Sequence, residues 1–268
     1  MYCPISDATF SSFSVENVHF LGSGGKDGGY LMRFDHVASG EVEVRNCIFE
    51  GLKSKGIFVK DTDGFRLSES EFRGNYRNCL TVDVESDNAV IERNKFFDNG
   101  RGMTNDPVID VKGGDFCVRN NYFEDFSYSA IGLGAHYTER SDGGTRGIVE
   151  KNEICMSEEF RSGVPRQLID SGCIYVWTKN NRLIIRDNYI HDISGPHGNR
   201  GILCDDGAYN VTICHNRIER IKGSYCIDLR RHKSVEHRYG STVRNANTGN
   251  YIYDNITDGR CRIYLDRR

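Results

Sequence analysis

The residues best equipped for bond chemistry gather in one stretch, Ile190-His-Asp-Ile-Ser-Gly-Pro-His-Gly-Asn-Arg-Gly-Ile-Leu-Cys-Asp-Asp-Gly207. It sets Asp205 and Asp206 side by side after an apolar run, with His191, Asp192, His197 and Arg200 just upstream. Paired carboxylates suit glycoside hydrolysis, in which one acid delivers a proton to the leaving oxygen while the other activates water or attacks the sugar carbon. Asp205 and Asp206 are the catalytic candidates, with His197 and Arg230 binding or orienting substrate and His191 and Arg231 in contact with it. Asp-Asp-Gly is also a common turn sequence.

A second group joins Asp83, Glu85 and Asp110 with Lys112. Three carboxylates supply the hard oxygen ligands of Ca²⁺, and a solvated polar face has the same composition. Trp177, the only tryptophan, lies two residues from Tyr175. Together they offer a flat aromatic surface for the apolar face of a sugar ring, unless the insertion at Glu158–Gln167 folds over them.

These residues need elements to position them, and the chain supplies a repeat. An apolar-rich approach to Asn-x-apolar recurs nine times, with Ser70 in place of Asn in Leu67-Ser-Glu-Ser70-Glu-Phe72, from Val15-Glu-Asn17 and Val44-Arg-Asn46-Cys-Ile48 through Ile91-Glu-Arg-Asn94-Lys-Phe96 to Ile213-Cys-His-Asn216-Arg-Ile218 and Asn250-Tyr-Ile252. From Asn46 the anchor advances by 24, 24, 27, 31, 36, 28 and 34 residues, so the short coils are bare and the long ones carry insertions. A second apolar-x-apolar strand follows each anchor, among them Ile57-Phe-Val59, Val82-Asp-Val84, Ile109-Asp-Val111, Ile174-Tyr-Val176 and Ile227-Asp-Leu229. Alternation at period two, β-branched and aromatic residues, Gly/Asn/Asp turns and only four prolines indicate strands. About 24 residues is too short for a four-stranded propeller blade and fits one three-strand coil, so parallel coils stack into a solenoid. The recurring Asn is expected to form a buried amide ladder along the axis.

If the apolar pairs of the second strands point inward, one outward row reads Phe58, Asp83, Asp110, Gly132, Tyr175, Leu203, Asp228 and Tyr264. The next reads Lys60, Glu85, Lys112, Gly134, Trp177, Asp205, Arg230 and Asp266. Asp83, Asp110, Lys112, Tyr175 and Trp177 are therefore the expected substrate-binding positions on one face.

The repeat, of the V-x-x-N-x-F type, resembles the pectate-lyase-like right-handed β-helix superfamily over nearly the whole chain. The expectation is an all-β, three-sheet, right-handed parallel β-helix of about nine coils, forming one domain over 1–268. The resemblance implies a carbohydrate-active protein, first of all a glycoside hydrolase. The Asp205-Asp206 pair at a strand end looks like that of polygalacturonases. The rest of that pattern is not met, because Pro196-His197-Gly198 precedes the pair and Arg230-Arg231-His232 stands where Arg-Ile-Lys would be. A uronate lyase is the alternative, with Lys112 or Arg230 as base and Ca²⁺ as its cofactor; the hydrolase needs none. A non-catalytic glycan-binding or structural β-helix is the third reading. Such solenoids carry caps, and none is visible at either end, so further sequence or another chain is expected to cover the ends.

Bulk composition narrows the partners. A net charge of -3 with interspersed signs gives no basic stripe for nucleic acid, and 38% hydrophobic content permits a substantial core. No apolar run approaches a membrane span, and Met1–Phe10 lacks the pattern of a signal peptide. The polysaccharide reading places the protein outside the cell, at its surface or in the periplasm. The ten cysteines show no C-x-x-C and sit in strand-like runs, as buried thiols do. The Gly22–Gly29 run fails phosphate-loop spacing, and the sequons at Asn210 and Asn255 are close to chance expectation.

Overall fold

The computed structural model describes residues 3–6, 12–22, 29–37, 41–102, 104–134, 145–162, 171–177, 181–194, 199–205, 208, 210–222, 225–230, 250–259 and 262–263. Its strands form three sheets of ten, nine and nine strands, each ordered along the chain in steps of three. Every coil gives one strand to each sheet. Glu41–Arg45, Ile48–Glu50 and Lys55–Lys60, for example, make one coil. The pairings are parallel, as stacked coils require. The ten-stranded long sheet runs from Cys3–Ser6 through Lys55–Lys60, Leu80–Val82, Ile109–Val111 and Gly172–Val176 to Arg262–Ile263. The expected three-sheet parallel β-helix is the observed architecture.

Its interior is filled by side chains repeated in register. In the third sheet Phe20, Phe49, Phe72, Phe96 and Phe123 stack ring on ring, with successive centroids 5.0, 4.3, 5.0 and 4.5 Å apart. Ile154, Ile190 and Ile218 continue the column. Each such buried side chain stabilises the coil by roughly 1.5–3 kcal/mol relative to exposure.

The amide ladder exists, with a corrected register. Ser70, Asn94, Asn121, Asn152, Asn188, Asn216 and Asn255 occupy it, preceded by Cys47 rather than Asn46. Asn46 takes the preceding position, where each coil turns through positive φ, from 48° at Asn46 to 56° at Arg93 and 55° at His215. Two adjacent Asn-like positions thus compete for the pattern, and Asn46, exposed, holds the outer one. At the far end Asn250 bonds Val211 N and Ala208 O, while Asn255 continues the ladder, so the last interval is 39 residues. Asn152 shows the bonding: its Oδ1 accepts from the backbone N and side-chain Nδ2 of Asn121, both at 3.0 Å. Its Nδ2 donates to Val118 O and Asn188 Oδ1, again at 3.0 Å. The Asn255 amide of the second sequon is likewise committed, donating to Ile213 O at 2.9 Å.

The eight cysteines Cys47, Cys79, Cys117, Cys155, Cys173, Cys204, Cys214 and Cys226 are free, and all of these but Cys117 are buried. Burial pushes the Cys79, Cys173 and Cys204 thiols far above the ordinary range. They act as small core hydrophobes.

Replacing Asn152 by Leu strands Asn121 N and Val118 O in the interior, so the expected cost is about 4 kcal/mol in urea unfolding. The exposed Asn46→Ala substitution, which puts alanine at positive φ and removes the bond to Asn17 Oδ1, should cost about 1–2 kcal/mol by the same measurement, less than the ladder variant.

Candidate functional site on the long sheet

Strand pairing fixes which residues share the outward face of the long sheet. One row runs Arg33, Phe58, Thr81, Asp110, Gly132, Tyr175, Leu203 and Asp228. Thr81, not Asp83, is the neighbour of Asp110. The strand is Leu80–Val82, and Val84 falls in a turn closed by Ser86 N on Asp83 O at 3.0 Å. Asp83 moves to the following row, where its backbone N bonds Val59 O just as that of Lys112 bonds Val82 O. Trp177, Asp205 and Arg230 continue that row through bonds to Leu133, Val176 and Cys204. Glu85 drops out of the stripe and faces Lys60 at 3.7 Å.

Two polar clusters lie on this face. The C-terminal one is built around Asp205 and Asp228. The Tyr175 hydroxyl donates to Asp205 Oδ2 at 3.1 Å, and Arg230 Nη1 donates to the same oxygen at 3.1 Å. Arg230 Nε reaches Asp228 Oδ2 at 3.3 Å, and Arg200 Nε donates there at 2.6 Å. Asp205 is 3% exposed and Asp228 fully buried. Buried charges persist only when paired and hydrogen-bonded, and here two carboxylates meet two guanidinium groups.

Tyr175 points outward as the pattern predicts, but it is buried rather than a free platform. Tyr128, from the preceding coil, packs edge-on at 5.9 Å, and the Trp177 ring lies 5.3 Å away at a tilt. Trp177 stays half-buried, its indole N donating to Gly134 O at 2.6 Å. Of the insertion proposed to cover these rings, a short helix at Glu158–Ser162 is described and Phe160 packs against the main core.

The N-terminal cluster spans four coils. Asp110 Oδ2 lies 3.2 Å from Lys112 Nζ, while Asp110 Oδ1 is buried without a partner. Asp106 Oδ2 receives Arg77 Nε at 2.9 Å and the Thr104 hydroxyl at 2.9 Å, and Asp106 Oδ1 lies 3.7 Å from Lys55 Nζ. Lys55 in turn sits over the Tyr30 ring, 5.6 Å from its centre, and that ring packs on Phe58 at 4.6 Å. Gly132, the cross-strand neighbour of Asp110, admits Pro107 against its backbone. A Cβ there would lie 2.5 Å from Pro107 Cγ, so only glycine permits the approach. Sequence reasoning missed Tyr30, Lys55, Asn78 and Asp106. The signal for the register was present, since Ile57 to Leu80 repeats the 23-residue interval from Cys47 to Ser70.

His191 is not part of this face. It lies on Tyr189–Ser194 of the third sheet, between Asp192 at 2.7 Å and Glu153 at 3.2 Å, and stacks on Tyr189. The reason is the coil: His191 comes nine positions before the start of the long-sheet strand Arg200–Cys204 and falls on the previous wall. Asp206, His197, Arg231, Tyr264 and Asp266 lie outside the described residues. Among the described residues no group of three or more His, Cys, Asp or Glu side chains is arranged to hold a metal ion. The trio read as Ca²⁺ ligands is divided, with Asp110 on Lys112 and Glu85 on Lys60.

Environment separates two neighbouring acids. Burial raises the Asp110 carboxyl above its ordinary 3.8, with Lys112 pulling the other way. Burial opposes ionisation of Asp106 too, but Lys55, Thr104 and Arg77 prevail and hold it below 3.8. The depressed Asp106 contributes stability present above 3.8 that is lost as pH falls through its native value. The raised Asp110 carries the opposite sign: its ionisation costs nothing below 3.8 and destabilises as pH rises through its native value. Carbon-detected NMR titration should place Asp110 above and Asp106 below 3.8. In pH-dependent urea unfolding, Asp110→Asn should be more stable than the wild type at neutral pH and lose that advantage below 3.8.

Comparison with known proteins is consistent with this architecture. Residues 5–154, more than half of the chain, match the family model for the right handed beta helix region. No curated protein matches the sequence. Among solved structures, DFA-IIIase from Arthrobacter chlorophenolicus A6 in complex with GF2 is similar at 12% identity and a TM-score of 0.48. The match covers 85% of this chain and 53% of that one, so this chain spans about half of that enzyme's length. Parallel coils in three sheets and the family match over 5–154 lead to one conclusion: the chain belongs to the right-handed β-helix family.

Proposed function

We propose that this protein acts on carbohydrate, binding an oligo- or polysaccharide along the outward face of the long sheet and hydrolysing it next to Asp205. The observation that carries this reading is the adjacency of Trp177 and Asp205 in one row, with the carboxylate oriented by Tyr175 and Arg230. An indole edge beside a fixed carboxylate one coil away, roughly 4.8 Å, offers one sugar ring both an apolar contact and an acid group. Charged side chains are not needed on an outward face to hold the coils together, and their burial costs desolvation. Asp206 follows Asp205 in the chain and is the second carboxylate of this reading.

A non-catalytic glycan-binding role is favoured by one observation, the near-complete burial of Asp205 between Tyr175 and Arg230. Hydrolysis and binding separate in a single assay set. With a panel of neutral and uronate oligosaccharides, the wild type should bind and release new reducing ends. Asp205→Asn should lower turnover by about 10³ while retaining binding. Trp177→Ala should weaken binding about tenfold. Binding lost in Trp177→Ala with no reducing ends from the wild type would establish the binding role instead, and no binding to any sugar would end the carbohydrate reading.

A further inference from the structure

Resting on the carbohydrate reading above, we infer that Asn78 and Asp110 form a separate sugar-hydroxyl subsite on the N-terminal part of the long sheet. Both residues flank Thr81. Asp110 is its cross-strand neighbour, and Asn78 donates through Nδ2 to the Thr81 hydroxyl. That same Nδ2 also donates to Leu80 O at 3.3 Å, which fixes the orientation of the amide because a carbonyl only accepts. Asn78 Oδ1 is therefore an acceptor by necessity, and it has no partner. Asp110 Oδ1 has none either. Asn78 is 3% exposed and Asp110 8%.

Two buried, unpartnered oxygens beside one threonine are costly to the fold, each by about 1–3 kcal/mol. Costs of this kind are kept where a ligand group repays them. The ligand has to bring hydroxyl-type donors. A metal cation is opposed by Lys112, 3.2 Å from the other Asp110 oxygen, and by Lys55, whose charge also acts on Asp110. A simple anion would meet two acceptors. A sugar ring fits both demands, because each hydroxyl donates to one oxygen and accepts from a lysine ammonium, and the Tyr30 ring borders the site. From Asp110 to Trp177 is two coils and from Asn78 three, roughly 10–14 Å. A disaccharide reaches one cluster, and a longer chain lying along the axis reaches both.

The test uses the full chain with xylohexaose, hexagalacturonate and the two matching disaccharides, measured by titration calorimetry. Asn78→Ala and Asp110→Ala should each weaken the hexasaccharide that binds by about tenfold. Disaccharide affinity should remain within about twofold, so that the advantage of the longer chain is lost. Asp110→Asn, the isosteric variant, controls for folding: a hexasaccharide defect there, with thermal stability equal to or above the wild type, supports the subsite. Preference for xylohexaose or hexagalacturonate assigns the ring as neutral or uronate, and either supports the proposal. Hexasaccharide affinity unchanged in all three variants while Trp177→Ala loses binding would overturn the subsite and leave the carbohydrate reading standing. Absence of binding to every sugar would overturn both.

Discussion

From Asn94 to Asn216 one side-chain amide per coil bonds both the coil before it and the coil after it, and this requirement sets the spacing of everything else. An Asn whose Oδ1 accepts from one neighbour and whose Nδ2 donates to the next, at 3.0 Å on both sides of Asn152, cannot drift along the axis without breaking four bonds. The residue before it sits at positive φ in every described coil from Asn17 to Asp254, a conformation that costs a non-glycine residue about 1 kcal/mol or more. The ladder supplies the compensation, since an amide in the interior gains from each bond and loses heavily if left bare. With the turn pinned, the phenylalanine column stacks within 4.3–5.0 Å and the outward rows inherit the same repeat. The side chains of the outer face are thereby positioned by a bond network on the inside.

The two outward clusters handle buried charge differently. Around Asp205 each described carboxylate meets a guanidinium, and the tyrosine hydroxyl closes the set. Around Asp110 the partners are fewer: one oxygen faces a lysine and the other has no hydrogen-bond partner, while the absence of a side chain at Gly132 lets Pro107 pack beside it. The first arrangement is rigid and orients. The second retains bonding capacity.

The fold was legible in the sequence because its determinant is periodic. Apolar alternation and a polar anchor every coil carry the same message many times, so errors at single copies do not mislead. Individual copies did mislead about register. Asn46 and Cys47 differ by one position, and only the pairing with Ser70 shows that the thiol residue holds the ladder site. Val82-Asp83-Val84 has the same alternation as Leu80-Thr81-Val82, and the turn at Ser86, a contact outside the strand, decides between them. The outward direction of Tyr175 followed from alternation, whereas its burial depends on Tyr128, 47 residues earlier, which no local pattern reveals. Asn78 and Asp106 carry no strand periodicity at all, and their role depends on which coil lies alongside.

The spacing of the ladder has a consequence for change over time. From Cys47 to Ser70 a coil takes 23 residues, from Asn152 to Asn188 it takes 36, and from Asn216 to Asn255 it takes 39, yet the ladder bonds keep a length of 3.0–3.1 Å. Added sequence between two rungs leaves the next rung unaltered. The molecule behaves as a rack whose slots accept insertions independently, so the outward wall can be rewritten one coil at a time while the spine stays the same.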